Sequence, residues 1–201
     1  LSHIYAHGNM FGDIDINYDK VGDDEIFISH ELYFNGEKIA SFNENHYKLE
    51  SPHLWDLSHP HLYELVTTVK LQEKIEKYVT KLAFLDAIFT NEGFYLNNVK
   101  TKLVGLNRHQ GYPYMGYAAS KSLQEDDAIL LKKTGLNVVR TSHYPQSEHF
   151  LNKCDEIGLL VIDEIPGWQH IGKSEFWKEA CKENTRKMVL KERCHPSVIA
   201  Y

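Results

Sequence analysis

Two stretches of the chain hold most of the groups that could do chemistry. One is Asn137-Val138-Val139-Arg140-Thr141-Ser142-His143-Tyr144-Pro145, and the other is Gly158-Leu159-Leu160-Val161-Ile162-Asp163-Glu164. Each is an apolar run that ends on polar side chains, and a third run, Lys102 to Asn107, ends in the same way on Asn107-Arg108-His109. A guanidinium such as Arg140 can hold a carboxylate in a fixed bidentate geometry while keeping it ionised. A structural salt bridge to Asp163 or Glu164 would use the same geometry, and the two roles are compatible. His109 is a candidate for binding hydroxyl groups, since a neutral imidazole donates from one nitrogen and accepts at the other. For His109 the alternative is a plain loop histidine. Asp163 and Glu164 invite comparison with a general acid and nucleophile pair, but adjacent residues on a strand face opposite sides. In the loop that follows, Trp168 offers a flat face for stacking on a ring, or equally an anchor that buries the loop.

These groups need elements to position them, and from Gly93 onward the pattern is strand alternating with helix. After Lys102–Asn107, Ser122 with Glu125 reads as a capping box, and Leu123, Leu130 and Leu131 give a helical stripe that stops at Gly135. A strand at Asn137–Thr141 leads to a helix capped by Ser147, with Phe150, Leu151, Cys154 and Ile157 on one face and Gly158 at its end. Leu159–Asp163 is the next strand. A third helix starts near Ser174, carries Phe176, Trp177, Ala180, Met188 and Val189, and ends before Pro196; Ser197–Tyr201 begins a fourth strand. Apolar strands this continuous have no wet face, so the sheet is parallel and covered by helices. A parallel α/β barrel places its chemistry at the carboxyl ends of its strands, where Asn107, His109, Arg140, His143, Asp163 and Glu164 fall. Eight such units need about 250 residues. The chain carries three and the start of a fourth, which predicts an interior piece of a larger enzyme, as does its start at Leu1 rather than Met.

Up to about residue 90 the pattern differs. Glu25–Phe34 and Glu37–Phe42 flank Asn35-Gly36, a two-residue hairpin signal, because both turn residues need positive φ. Further strands are expected at Leu62–Leu71 and Tyr78–Leu85, with Pro52 and Pro60 in loops, whereas Leu1 to Asp24 is weakly patterned. The expectation is an immunoglobulin-like β-sandwich over residues 1–90, followed by a partial TIM (β/α)8 barrel over residues 91–201. Trp55 and Tyr63 fit core anchors better than ligand-stacking surfaces.

The Asn137–Pro145 run, Phe150-Leu151, Asp155 and the Gly158-led strand together resemble glycoside hydrolase family 2, the group that includes β-galactosidases and β-glucuronidases. Ser51-Pro52-His53-Leu54-Trp55, Pro60-His61-Leu62-Tyr63-Glu64-Leu65 and Gly93-Phe94-Tyr95-Leu96-Asn97 extend the resemblance over residues 50–201, with a departure at Leu82-Ala83-Phe84. It implies that Asn107 and His109 line a sugar site, that Arg140 orients a carboxylate, that His143 reaches the sugar or the transition state, and that Asp163 and Glu164 support the site. It also places the acid/base Glu in a Gly-Asn-Glu motif after the fourth strand and the nucleophile later still. Both are therefore expected to lie past Tyr201, leaving this chain inactive alone. Relatives of the β-galactosidase type carry Glu-Thr-His for a magnesium ion where this chain has Trp168-Gln169-His170. Without that Glu, no metal or other cofactor is expected.

Bulk properties narrow the field. The 201 residues carry a formal net charge of -6, with no basic cluster long enough to neutralise a row of phosphates. Nucleic acid is not an expected partner, nor is a membrane, since no apolar run nears the ~20 residues of a span. The expected partners are a carbohydrate substrate, the rest of the parent enzyme and a second copy of the chain. Three Cys without a CxxC pair read as packing thiols. Twelve His raise the question of a metal, but none pair on a helical face beside a carboxylate. Cytoplasmic and secreted locations both fit. A non-catalytic carbohydrate-binding module relying on Trp55 or Trp168, and a nonfunctional truncated product, are the rival readings.

Overall fold

The computed structural model describes residues 2–20, 22, 25–167 and 169–201. Seven antiparallel strands come first: β1 (Ser2–Gly8), β2 (Asp13–Asp19), β3 (Phe27–Phe34), β4 (Glu37–Phe42), β5 (His46–Lys48), β6 (Tyr63–Leu71) and β7 (Lys74–Leu82). They form two sheets, β1-β2-β5 and β4-β3-β6-β7. Alternation sets the inner face: on β6, Tyr63, Leu65, Thr67 and Val69 are buried. Ile14, Ile16, Leu32, Leu65, Leu82 and Phe84 fill the space between the sheets. Asn35 and Gly36 both have positive φ, 50° and 81°, so the Asn-Gly hairpin forms as its chemistry requires. The weakly patterned start nonetheless supplies two strands, because Ile14 and Ile16 alternate with Asp and Asn over only seven residues.

Three short strands, β8 (Ala87–Thr90), β9 (Gly93–Leu96) and β10 (Val99–Lys100), make a separate antiparallel sheet at the junction. Then come β11 (Gly105–Arg108), α1 (Lys121–Lys133), β12 (Val138–Thr141), α2 (Glu148–Ile157), β13 (Leu160–Ile162), α3 (Glu175–Glu192) and β14 (Val198–Ala200). The strands pair in parallel in the order β11-β12-β13-β14, which is the opening arc of a barrel. Val139, Phe150, Leu151, Cys154, Leu159 and Val161 form the core between this sheet and its helices.

Several local expectations shift. The cap of α1 is Ser120, whose hydroxyl accepts from Leu123 N, so the Ser122–Glu125 pair lies inside the first turn. Leu130 is exposed, while Gln124 and Ala128 take the inner face. The third helix starts near Ser174 as expected, with Ser174 as its cap, but Phe176 is exposed and only Met188 and Glu192 are buried in α3. A third core joins the two halves: Trp55, Ala83, Leu85, Phe94, Leu96, Val138 and Leu160 pack together. Trp55 is wholly buried there and its Nε1 donates to Asp155 O at 2.8 Å. That contact ties a sandwich loop to α2 and removes Trp55 as a sugar-stacking surface.

Candidate active site

Parallel pairing brings the carboxyl ends of β11, β12 and β13 side by side. Asn107 stands in register with Arg140, and Arg140 with Ile162, so the residues after Ile162 rise directly beside the Arg140 side chain. The partner Arg140 takes is Glu164: Nε lies 3.2 Å and Nη2 2.8 Å from the same oxygen, Oε2. The other oxygen, Oε1, lies 2.6 Å from His143 Nδ1. Because a carboxylate can only accept, the proton of that bond sits on Nδ1. Arg140 Nη2 also approaches His143 Nδ1 to 3.5 Å. One anion is thus held between two basic side chains. No hydrogen bond reaches Arg140 Nη1 among the described residues, and the side chain is 42% exposed, so a further acceptor can be taken there.

His109 extends this cluster. Its ring meets that of His143 edge-on at 5.5 Å, and the Tyr144 ring stands 6.3 Å away, tilted by 59°. His109 and Asn107 are both exposed at the strand ends, with polar atoms open to a ligand. The peptide between Ser142 and His143 is cis. Trp168, expected in the loop beyond Glu164, lies outside the described residues; His170 is exposed, near Trp177.

Asp163 parts from Glu164 in the segment just past β13. It is fully buried and accepts from Thr141 Oγ1, not from Arg140, so of the two carboxylates weighed as the arginine's partner only Glu164 serves. Arg108 has a supporting role that its motif does not reveal. It is buried, stacks over Phe150 at 4.0 Å, and donates to Asp127, Gln124, Gln146 and Tyr112. A buried guanidinium with its donors matched to fixed acceptors locks β11 against α1 and the loop before α2. Asp155, also buried, accepts from Ser197 N and Oγ and lies 2.6 Å from His195 Nδ1, which fastens α2 to the chain entering β14. The sign that could have singled out Gln124 and Glu192 in the sequence is a polar residue on the inner face of a helix; Gln146, in the loop before α2, carries no such sign.

No group of three or more His, Cys, Asp or Glu side chains able to hold a metal ion occurs among the described residues. A cavity of about 460 Å³ lies elsewhere, between the sandwich and the residues leading into β14, lined by Gly8, Asp86, Arg193 and His195 among others.

Comparison with known proteins agrees with this layout. The model described as "Glycosyl hydrolases family 2, TIM barrel domain" matches residues 88–201, and "Glycosyl hydrolases family 2" matches residues 14–84. A β-galactosidase of Thermoanaerobacterium thermosulfurigenes is 48% identical over 200 residues, 98% of this chain and 27% of that protein. A β-galactosidase of Thermoanaerobacter pseudethanolicus is 47% identical over 157 residues, 77% of this chain and 21% of that one. Among solved structures, β-glucuronidase 3 of Bacteroides uniformis superposes with a TM-score of 0.80 at 28% identity, over 97% of this chain and 26% of the other. The chain therefore spans about a quarter of the length of the relatives it matches. With both halves matched in sequence order and the parallel arc following the sandwich, this chain belongs to glycoside hydrolase family 2.

Proposed function

We propose that the chain is the sandwich (1–90) and opening half-barrel (91–201) of a retaining glycosidase of the β-galactosidase type, which releases a terminal β-linked sugar. The observation that carries this reading is the Glu164 carboxylate held between Arg140 and His143 at the carboxyl end of the parallel sheet, beside exposed Asn107 and His109. Such a group orients rather than reacts. A carboxylate hydrogen-bonded on both oxygens is already engaged and makes a poor nucleophile, and Asp163 is buried away from any substrate. Retention needs two carboxyl groups roughly 5 to 5.5 Å apart across the glycosidic bond. Neither of these qualifies, so the acid/base and the nucleophile come from the rest of the parent enzyme. His109 and His143 bind sugar hydroxyls, and Arg140 Nη1 takes the incoming nucleophilic carboxylate and keeps it ionised. The β-galactosidase relatives, at nearly half identity, favour a galactoside over a glucuronide. Complete burial of Trp55 weighs against the binding-module reading.

The test is hydrolysis of chromogenic β-galactoside and β-glucuronide by this chain beside a chain extended through the remaining barrel strands. Turnover is expected only from the extended form, and Arg140→Ala in it should lower kcat on the order of 10²-fold or more. Turnover by the 201-residue chain itself, with contaminating enzyme excluded, would overturn the assignment.

A further inference from the structure

Behind the cluster, two acidic side chains meet out of contact with water. Asp163, just past β13, and Glu192, the last residue of α3, are both fully buried. Asp163 Oδ1 accepts from Thr141 Oγ1, but Asp163 Oδ2 and both oxygens of Glu192 are buried without a donor among the described residues. The neighbouring group for Glu192 is the Asp163 side chain itself. Two carboxylates cannot bond one another, since both only accept; a proton on one turns the contact into an O–H···O⁻ bond.

Surrounding charges do not provide another solution. Lys191 Nζ comes no nearer than 4.0 Å to Glu192 Oε1 and its side chain is 54% exposed. The Arg193 guanidinium stacks over the Tyr5 ring at 3.7 Å. Tyr201 and Cys194, the other titratable groups nearby, are raised by burial and stay neutral, and a phenol or thiol carries no positive charge in any state. The side chains of Arg140 and His143 are engaged with Glu164.

We propose that Glu192 is a positioning residue that keeps its proton at neutral pH and donates it to Asp163 Oδ2, pinning the ends of β12 and β13 beneath the Arg140–Glu164–His143 cluster. Thr141, which donates to Asp163, lies between Arg140 and His143 in the chain, so the pair bears directly on where both side chains start. Burial, with the hydrogen bond and charge of Asp163, pushes the Glu192 carboxyl up to about 9. A carboxyl raised in the fold stabilises it while protonated. That contribution is full below the ordinary value of 4.5 and is lost as pH climbs through about 9. That the cluster binds sugar rests on the function proposed above; the shared proton does not.

The experiment is a pH titration of the 201-residue chain followed by side-chain carboxyl ¹³C shifts and His143 ring resonances, with urea midpoints for wild type and Glu192→Gln. The Glu192 carbon should hold its protonated shift past neutrality and move only as pH nears about 9. His143 should report the same midpoint in wild type and lose it in Glu192→Gln. The wild-type urea midpoint should fall over that span while the variant stays level, because Gln retains an N–H donor without titrating. An ordinary carboxylate titration at about pH 4 to 5 for Glu192, or equal pH slopes in the two proteins, would overturn the proposal. If the variant fails to fold, the wild-type carboxyl shift decides the matter. Loss of sugar binding by the cluster alone would instead refute the function and leave the titration standing.

Discussion

Two arginines at the ends of neighbouring strands have opposite fates. Arg140 is partly exposed and pairs with a Glu164 that is also reached by water, so the pair adds little to stability, under about 1 kcal/mol. Arg108 is buried against Asp127, Gln124 and Gln146, and its loss strands their polar groups. Glu164→Gln should therefore leave the thermal midpoint of the chain nearly unchanged and lower activity of the extended enzyme on the order of 10²-fold. Arg108→Met should cost roughly 3 to 5 kcal/mol in urea unfolding. A Glu164→Gln variant that unfolds, or an Arg108→Met variant of normal stability, would reverse these roles. Residue types and their place at strand ends were enough to single out Arg140, His143, Glu164 and His109. They were not enough to tell which carboxylate Arg140 takes, because Asp163 and Glu164 are adjacent and only the path of the chain past β13 decides which one faces it.

Caps and close contacts hold the elements at their angles. Gly158 ends α2 in the left-handed region at φ 71°, and a Cβ there would lie 2.7 Å from Leu57 O. Lys132 of α1 donates to the carbonyls of both Leu57 and Gly158, each at 2.7 Å, so one corner joins two helices to the sandwich loop. Gly158→Ala combines strain with a backbone clash and should lower stability by roughly 1 to 3 kcal/mol, read from the urea midpoint. Trp55→Ala empties a wholly buried site in the joining core and should cost about 3 to 5 kcal/mol; the two halves should then unfold in separate steps rather than one. Gly158 as a helix stop, Ser147 as a cap and a helix start near Ser174 were legible because their signals are local. The cap at Ser120 was not, since Ser122 carries the Glu three residues on that the capping pattern looks for, while Ser120 is followed there by Leu123.

As a whole the molecule has a closed sandwich and an open arc. Both outer strands of the parallel sheet, β11 and β14, lack an outer neighbour among the described residues, and Val104 and Leu106 are exposed beside β11. Unpaired edges with apolar flanks favour strand-to-strand association. Sedimentation velocity should show a mass that rises with concentration, and Leu106→Lys should shift it toward monomer without lowering the thermal midpoint; a monomer at all concentrations would show that the edge is covered in another way. The sequence by itself determined the order of sandwich and barrel, the helix stops and the family, because alternation, turn chemistry and motif spacing are written within a few residues of one another. Tertiary structure alone decided that the buried Trp55 joins the sandwich loop to α2, that Arg140 takes Glu164, and that Asp163 faces Glu192. Those contacts link residues far apart in the chain, and which of several equally suitable polar groups meet depends on how the strands and helices pack.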